Sequence, residues 1–312
     1  MSSPSLPQSQ LTAAQDLLLT WYQRHGRTHL PWRTTRDPYK IIVSEVMLAQ
    51  TQVNRVVPKF VSFIGLFPTL ASLARASTAD VLRAWRGLGY NSRAVRLKTL
   101  AKRVIGNHGG VVPRDAAVLR RLPGIGPYSV AAIRAFAYDE DVAALDTNVR
   151  RIVHRVFLGA EIPARASEHE LNLLAARFVP AGRGHDWNSA LMDMGSSLCT
   201  ARAPKCLLCP LQPVCAAAPI NALELDAARR RLAAKASPRQ RVAFKDSARF
   251  IRGRIIERLR ELPAGQMVSL LDLQSDLRSQ YVMPRCEVKR LVQALRKEGL
   301  VKSERGSIAL AD

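Results

Sequence analysis

The sequence predicts a mostly α-helical chain ending in a small winged-helix-like module. Three observations lead there. Apolar residues recur at helical spacing from Leu11 to Leu198, with no strong strand pattern before residue 240. A Gly-Ile-Gly turn at residues 124–126 sits between two of these helical patterns. After Ala248, three short amphipathic segments give way to residues 301–309, which read as two short strands turning at Gly306.

The elements follow in order. Residues 1–10 read as a disordered lead-in. Residues 11–25 form an apolar-striped helix with Thr12 as its cap candidate. Further helices are expected over 39–52, 56–65, 78–86, 94–108, 115–122, 129–137, 147–156, 167–178 and 186–198. Together with a cysteine loop at 199–215 they make one domain, 11–216. The stretch 217–247 is rich in Ala and Arg and reads as a helix followed by a basic linker. The last domain, 248–312, has helices over 250–262, 270–278 and 287–298. The third places Val288, Leu291, Val292 and Leu295 on one face.

Charge narrows the function class. Forty-seven Lys and Arg face 25 Asp and Glu, a net charge of +22, which favours a polyanionic partner. No apolar run reaches the roughly 18 residues of a membrane span, so no membrane association is expected. The first ten residues lack the charged start and apolar core of a secretory signal. A cytoplasmic, nucleoid-associated protein is expected.

Four of the five cysteines cluster. Cys199, Cys206, Cys209 and Cys215 are separated by six, two and five residues, with prolines between them. In a reducing compartment such a group binds metal rather than forming disulfides. The spacing admits either zinc or an iron–sulfur cluster. Cys286 stands apart and reads as a core residue.

Two carboxylates invite a chemical reading. Glu45 lies in the apolar stretch IIVSEVMLAQTQV, where partial burial would keep it protonated and fit for general-acid work. Asp146, in ALDTNVRR, follows the Gly-X-Gly turn by twenty residues and is placed to cap the next helix. Gly124 and Gly126 let the backbone approach a phosphate, which the amides opening the next helix can bind. An acid and an ionised carboxylate together suit a reaction that builds positive charge, such as departure of a base from deoxyribose.

These residues carry a resemblance. LPWR at 30–33, SEVMLAQTQV at 44–53, GLGY at 87–90, LPGIGPYS at 122–129, LDTNVRR at 145–151, ALMDMG at 190–195 and the four cysteines stand in the order of one family. Over residues 12–216 the chain resembles the MutY-type adenine DNA glycosylases of the helix-hairpin-helix (endonuclease III) superfamily. The resemblance implies a two-lobed helix-hairpin-helix DNA glycosylase fold with a structural [4Fe–4S] cluster on the four cysteines. It implies double-stranded DNA carrying a mismatch or an oxidised guanine as partner; a monomer is expected.

Carried over by residue, Glu45 would protonate the departing adenine and Asp146 would stabilise the sugar, with Tyr128 and Asn148 orienting that site. Trp32, Arg33 and Asp193 would line the base pocket. Gln50 and Tyr90 would wedge into the duplex and Leu88 would touch the opposing base. Arg202 and Lys205 would face phosphate. Family members that also cut the strand have Lys where this chain has Tyr128. A phenol forms no Schiff base, so hydrolysis without strand cleavage is expected.

The chain departs from the family at Ala49, Asn91 and Thr147. Residues 245–312 are too short and too helical for the Nudix-like domain with which well-studied adenine enzymes read 8-oxoguanine. Two other readings fit parts of the sequence. One is a thymine or uracil glycosylase acting opposite guanine. The other is a non-catalytic DNA-binding iron–sulfur protein.

Overall fold

A computed structural model describes residues 7–162, 164, 166–235, 243–244, 247–263, 265–281 and 285–312. Among them lie helices α1 (Gln8–His25), α2 (Pro38–Leu48), α3 (Val53–Leu66), α4 (Leu70–Arg75), α5 (Thr78–Ala84), α6 (Ser92–His108), α7 (Ala116–Arg120) and α8 (Pro127–Tyr138). They continue with α9 (Thr147–Leu158), α10 (Glu168–Phe178), α11 (Gly184–Ser197), α12 (Ala222–Lys235), α13 (Ala248–Arg260), α14 (Leu270–Gln280) and α15 (Arg285–Lys297). Three short strands, β1 (Val268–Ser269), β2 (Val301–Glu304) and β3 (Ser307–Leu310), complete the set. No helix among the described residues is long and apolar enough to cross a membrane.

The chain divides into two compact units. The first comprises residues 1–42, 114–120 and 125–238. Its core brings Leu11, Leu18 and Tyr22 of α1 against Val149, Ile152 and Val156 of α9 and Trp187, Leu191 and Met194 of α11. Phe178, at the end of α10, meets Phe157 and Trp187 edge to face at 5.1 and 4.6 Å. Helix α10 starts with a complete capping box, Ser167 and Glu170 exchanging side-chain and backbone hydrogen bonds.

The second unit comprises residues 43–113, 121–124 and 239–312. Phe63 meets Phe67 and Trp85 edge to face at 4.9 and 5.8 Å, in the core shared by α3, α5 and α6. The C-terminal residues join this same unit. Helix α13 packs on α15, α14, α5 and β3, burying Ile251, Ile255, Ile256 and Leu259. Arg260 reinforces the contact by donating to the Leu82 carbonyl (2.9 Å) and to Asn91 Oδ1 (2.8 Å). The antiparallel sheet has the order β1-β3-β2, pairing Val268 with Ile308 and Val301 with Leu310. Between β2 and β3, Arg305 and Gly306 both have positive φ, as a tight hairpin turn requires.

The N-terminal expectation needs correction. Helix α1 starts at Gln8 behind Pro7, so residues 8–10 are helical, and Thr12 lies inside the helix, donating to the Gln8 carbonyl. Helix α4 was not expected; its six residues are too few to display a period. The basic stretch contains α12, while 236–242 and the Cys286 side chain lie outside the described residues.

Candidate active site

Asp146 caps α9. Its Oδ1 accepts the Val149 amide (2.7 Å) and its Oδ2 accepts Asn148 Nδ2 (3.1 Å). The cap arises locally, because an Asp in extended conformation can bond the amide three residues on. Asn148 Oδ1 in turn accepts Arg151 Nη2 at 2.9 Å. Arg151 also donates to the Gly195 carbonyl (2.8 Å) and, through Nε, to the Cys199 carbonyl (2.8 Å). The carboxylate and the start of the cysteine loop are therefore joined by one hydrogen-bonded line through two side chains. Burial pushes the Arg151 guanidinium below its usual range, helped by Arg155 and opposed by Cys199.

The line depends on how closely α9 and α11 approach. A Cβ built on Gly195 would lie 2.8 Å from Asn148 Cβ and 3.2 Å from Ile152 Cδ1. Glycine therefore leaves room for Asn148 at this crossing. The sequence motifs contained Arg151 and Gly195 but did not distinguish them as supports.

The cysteine loop continues through two 3-10 turns, Cys206–Leu208 and Gln212–Val214. Cys199, Cys206, Cys209 and Cys215 are free, half-buried and line one small cavity together with Arg155. Arg155 is fully buried. It forms a two-pronged ion pair with Glu161 (2.8 and 2.7 Å) and donates to Cys199 Sγ at 3.4 Å. Burial, with neighbouring Cys199, Cys215 and Cys206, pushes the Cys209 thiol up to about 12. Among the described residues no three His, Cys, Asp or Glu side chains are placed to hold a metal ion directly. Arg202 and Lys205 are exposed on this loop.

Trp32 and Asp193 are buried, at 5% and 2% exposure. Asp193 is held chiefly by a residue outside the sequence motifs. The Arg27 backbone amide donates to Oδ2 (2.8 Å), and its Nε and Nη2 donate to Oδ1 (2.9 and 2.6 Å). Arg33 reaches the same carboxylate at 3.4 Å and donates to Tyr22 Oη at 3.0 Å. Arg27 and Asp193 are far apart in sequence, so no local pattern links them. Tyr128 sits half-buried in the first turn of α8.

Glu45 and the proposed wedge residues belong to the second unit. Glu45 is half-buried on α2. The end of that helix is held by Arg93. Its Nη1 donates to the carbonyls of Val46, Met47 and Ala49 (2.7, 3.0 and 2.6 Å). Its Nη2 donates to Thr51 Oγ1 (3.1 Å) and to the Leu88 and Gly89 carbonyls (2.9 and 3.3 Å). One guanidinium thus complements the negative end of α2 and ties it to the 87–90 turn. Burial lowers its pKa to about 10, so it remains charged at neutral pH.

On either side of this anchor, Gln50 (φ 62°) and Tyr90 (φ 44°) adopt left-handed backbone that non-glycine residues seldom take. Tyr90 is 41% exposed, whereas Leu88 is packed inside at 5%. Arg93→Ala should destabilise the protein by about 3 kcal/mol, because it strands several carbonyls at once. Arg93→Lys should recover little, since an ammonium cannot span both sets. Chemical denaturation measures both, and a loss near 1 kcal/mol for Arg93→Ala would show that water replaces the guanidinium.

The Gly-X-Gly turn is asymmetric. Gly124 has φ +82°, and a Cβ there would touch Arg96 Cβ at 3.4 Å. Gly126 caps α8 in extended conformation, at φ −95°, with its nearest neighbour at 4.0 Å. Of the two glycines, only Gly124 takes the left-handed backbone here.

The chain is similar to several known proteins. The HhH-GPD superfamily of base excision DNA repair proteins matches residues 43–176. An adenine DNA glycosylase of Mycolicibacterium smegmatis is 45% identical over 195 residues, 62% of this chain and 66% of that protein. One of Mycobacterium tuberculosis is 39% identical over 265 residues, 82% of each chain. Among solved structures, a thermostable thymine-DNA glycosylase superposes with a TM-score of 0.62 at 31% identity. It covers 66% of this chain and 95% of its own.

Proposed function

This chain belongs to the adenine DNA glycosylases, within the HhH-GPD superfamily of base excision DNA repair proteins, and we propose that it removes adenine mispaired with 8-oxoguanine or guanine in double-stranded DNA. The bond between adenine and C1′ of deoxyribose breaks as a ring nitrogen of the base gains a proton. Water then supplies hydroxide to C1′ and releases a proton, leaving an abasic site.

Each role falls to a named residue. Glu45 supplies the proton to the base. Asp146 stabilises the cationic sugar, with Asn148 and Tyr128 orienting it. Trp32, Arg33 and Asp193 shape the base pocket, the last acting through Arg27. Gln50 and Tyr90 wedge into the duplex and Leu88, from the same turn as Tyr90, touches the opposing base. Gly124 and Gly126 bring the backbone to phosphate, and Arg202 and Lys205 add charge contacts. Residues 11–216 form the glycosylase domain, followed by the basic segment 217–247 and the module 248–312. The protein acts as a cytoplasmic, nucleoid-associated monomer.

Cys199, Cys206, Cys209 and Cys215 would hold a [4Fe–4S] cluster. The resemblance of the cysteine spacing to the family loop favours this cluster over zinc, and the four thiols line one cavity. When bound, the group braces the loop; Arg155 and Arg151 hold Cys199 from the protein side.

The observation that carries the reading is the Asp146 carboxylate, fixed by two N–H donors. It is tested by single-turnover release from four duplexes: adenine opposite 8-oxoguanine, adenine opposite guanine, thymine opposite guanine and uracil opposite guanine. Adenine release is expected, with strand breaks appearing only after alkali because Tyr128 forms no Schiff base. Release of thymine or uracil with adenine untouched would reassign the substrate. A borohydride-trapped protein–DNA adduct would overturn hydrolysis without cleavage.

A further inference from the structure

Asp146 ends a connector, residues 139–146, that lies between α8 and α9 and belongs to no helix or strand. Backbone groups buried there need partners from elsewhere. One side chain of α11, Asn188, supplies three hydrogen bonds at this place. It is fully buried, and its Oδ1 accepts the Ala144 amide (2.8 Å). Its Nδ2 donates to the Val142 carbonyl (2.8 Å) and, back along its own helix, to the Gly184 carbonyl (2.7 Å). A carboxamide that spans one carbonyl and the amide two residues on imitates a neighbouring strand, and both of its N–H groups are used. The connector is also pinned nearer its start. Asp139 Oδ1 accepts the His185 amide (2.9 Å) and Asp141 Oδ2 accepts the Gly182 amide (2.8 Å). A Cβ on Gly184 would overlap the Glu140 carbonyl, so the first turn of α11 abuts the connector backbone.

Ala144 passes this hold on to the site. Its amide is bound by Asn188, and its carbonyl accepts the Asp146 amide (3.1 Å). On the far side of Asp146, Asn148 and Arg151 lead to the Gly195 carbonyl. Asn188 and Gly195 stand seven residues apart, close to two turns of α11, and so share one face of that helix. Asp146 is thus gripped from before and from after by the same helix. We propose that Asn188 is a positioning residue for adenine release, fixing through Ala144 where the Asp146 carboxylate stands relative to the sugar. The inference rests on the role given to Asp146 above. The cap to Val149 ties the carboxylate to α9 but leaves the entering chain free to shift, and Asn188 removes that freedom. The duty is particular to a carboxamide. An aspartate lacks both donors, and an apolar residue leaves the Ala144 amide and the Val142 carbonyl without these partners.

The test uses the full-length protein. Asn188→Ala removes all three bonds. Asn188→Ser, whose hydroxyl can still bond the carbonyl four residues back, serves where the first variant does not fold. Each is made in the wild-type protein and in Asp146→Asn. Single-turnover release of adenine at saturating protein reads the chemical step. Binding of a duplex carrying 2′-fluorinated adenosine, whose electron-poor sugar resists bond cleavage, reads affinity. Asn188→Ala should slow release by about 10²-fold, the scale of misplacing a group by about 1 Å, and Asn188→Ser by less. Affinity should stay within about twofold, since positioning acts on the chemical step. In Asp146→Asn the further loss should shrink to within about threefold, because the two residues act as one unit. Wild-type release by the folded variants would overturn the assignment. So would an affinity loss that matches the rate loss, or an undiminished loss in Asp146→Asn. Asp146→Asn that releases adenine as fast as the wild type would instead defeat the role of Asp146, and a wild type that releases none would defeat the activity, which makes the failures separable.

Discussion

Asp146→Asn is expected to slow adenine release by about 10³-fold, the scale of losing one preorganised electrostatic group, while leaving the protein almost as stable. The two effects part because the residue has two duties. As a cap it needs only an acceptor for the Val149 amide, and Asn caps a helix nearly as well as Asp. As a stabiliser of a cationic sugar it needs full negative charge, which the amide lacks. Single-turnover release and thermal unfolding measure the two duties on one preparation. A variant that unfolds early and releases adenine at the wild-type rate when folded would reduce Asp146 to a structural cap. Glu45→Gln should give a complementary loss, which a substrate base that departs readily without protonation should relieve.

Gly195→Ala is the second large effect. The added methyl meets Asn148 Cβ at 2.8 Å and Ile152 Cδ1 at 3.2 Å; the second is a side-chain end that can yield, but the first is fixed to the α9 backbone. Relief requires α9 and α11 to move apart, at a cost of about 1–3 kcal/mol. The movement also shifts Asn148, which touches Asp146 on one side and Arg151 on the other. Misplacement of a positioning group by about 1 Å can cost about 10²-fold in rate. Gly195→Ala should therefore lose more activity than its stability loss alone explains, even at temperatures where it is fully folded. Wild-type release by the folded variant would show that Asn148 does not position Asp146.

Features encoded over short stretches of sequence were legible there. The cap at Asp146, the helices α5 to α11 within a few residues and the hairpin at Gly306 each depend on neighbours along the chain. Asp146 could be read as a cap because the bonded amide is three residues away. Long-range supports were not legible. Arg27 meets Asp193 across 166 residues and Arg249 meets Tyr90 across 159, and no spacing signals either pair. The start of α1 is not legible because Thr12 resembles a cap, whereas the helix begins at Gln8 behind Pro7. Gly124 and Gly126 read alike in the sequence; only the backbone angle separates them.

The order of synthesis gives the second unit a particular history. Residues 43–113 leave the ribosome well before residues 239–312, with which they share a core. At ordinary translation rates the intervening stretch takes on the order of 10 s to make. Throughout that interval the face of α5 that will receive α13 has no cover, and the Leu82 carbonyl awaits Arg260. The first unit has all its parts once residue 238 is made. The half of the protein bearing Glu45 and Tyr90 is thus the last to mature, and a nascent chain stalled before α13 would display an unfinished apolar surface to its neighbours.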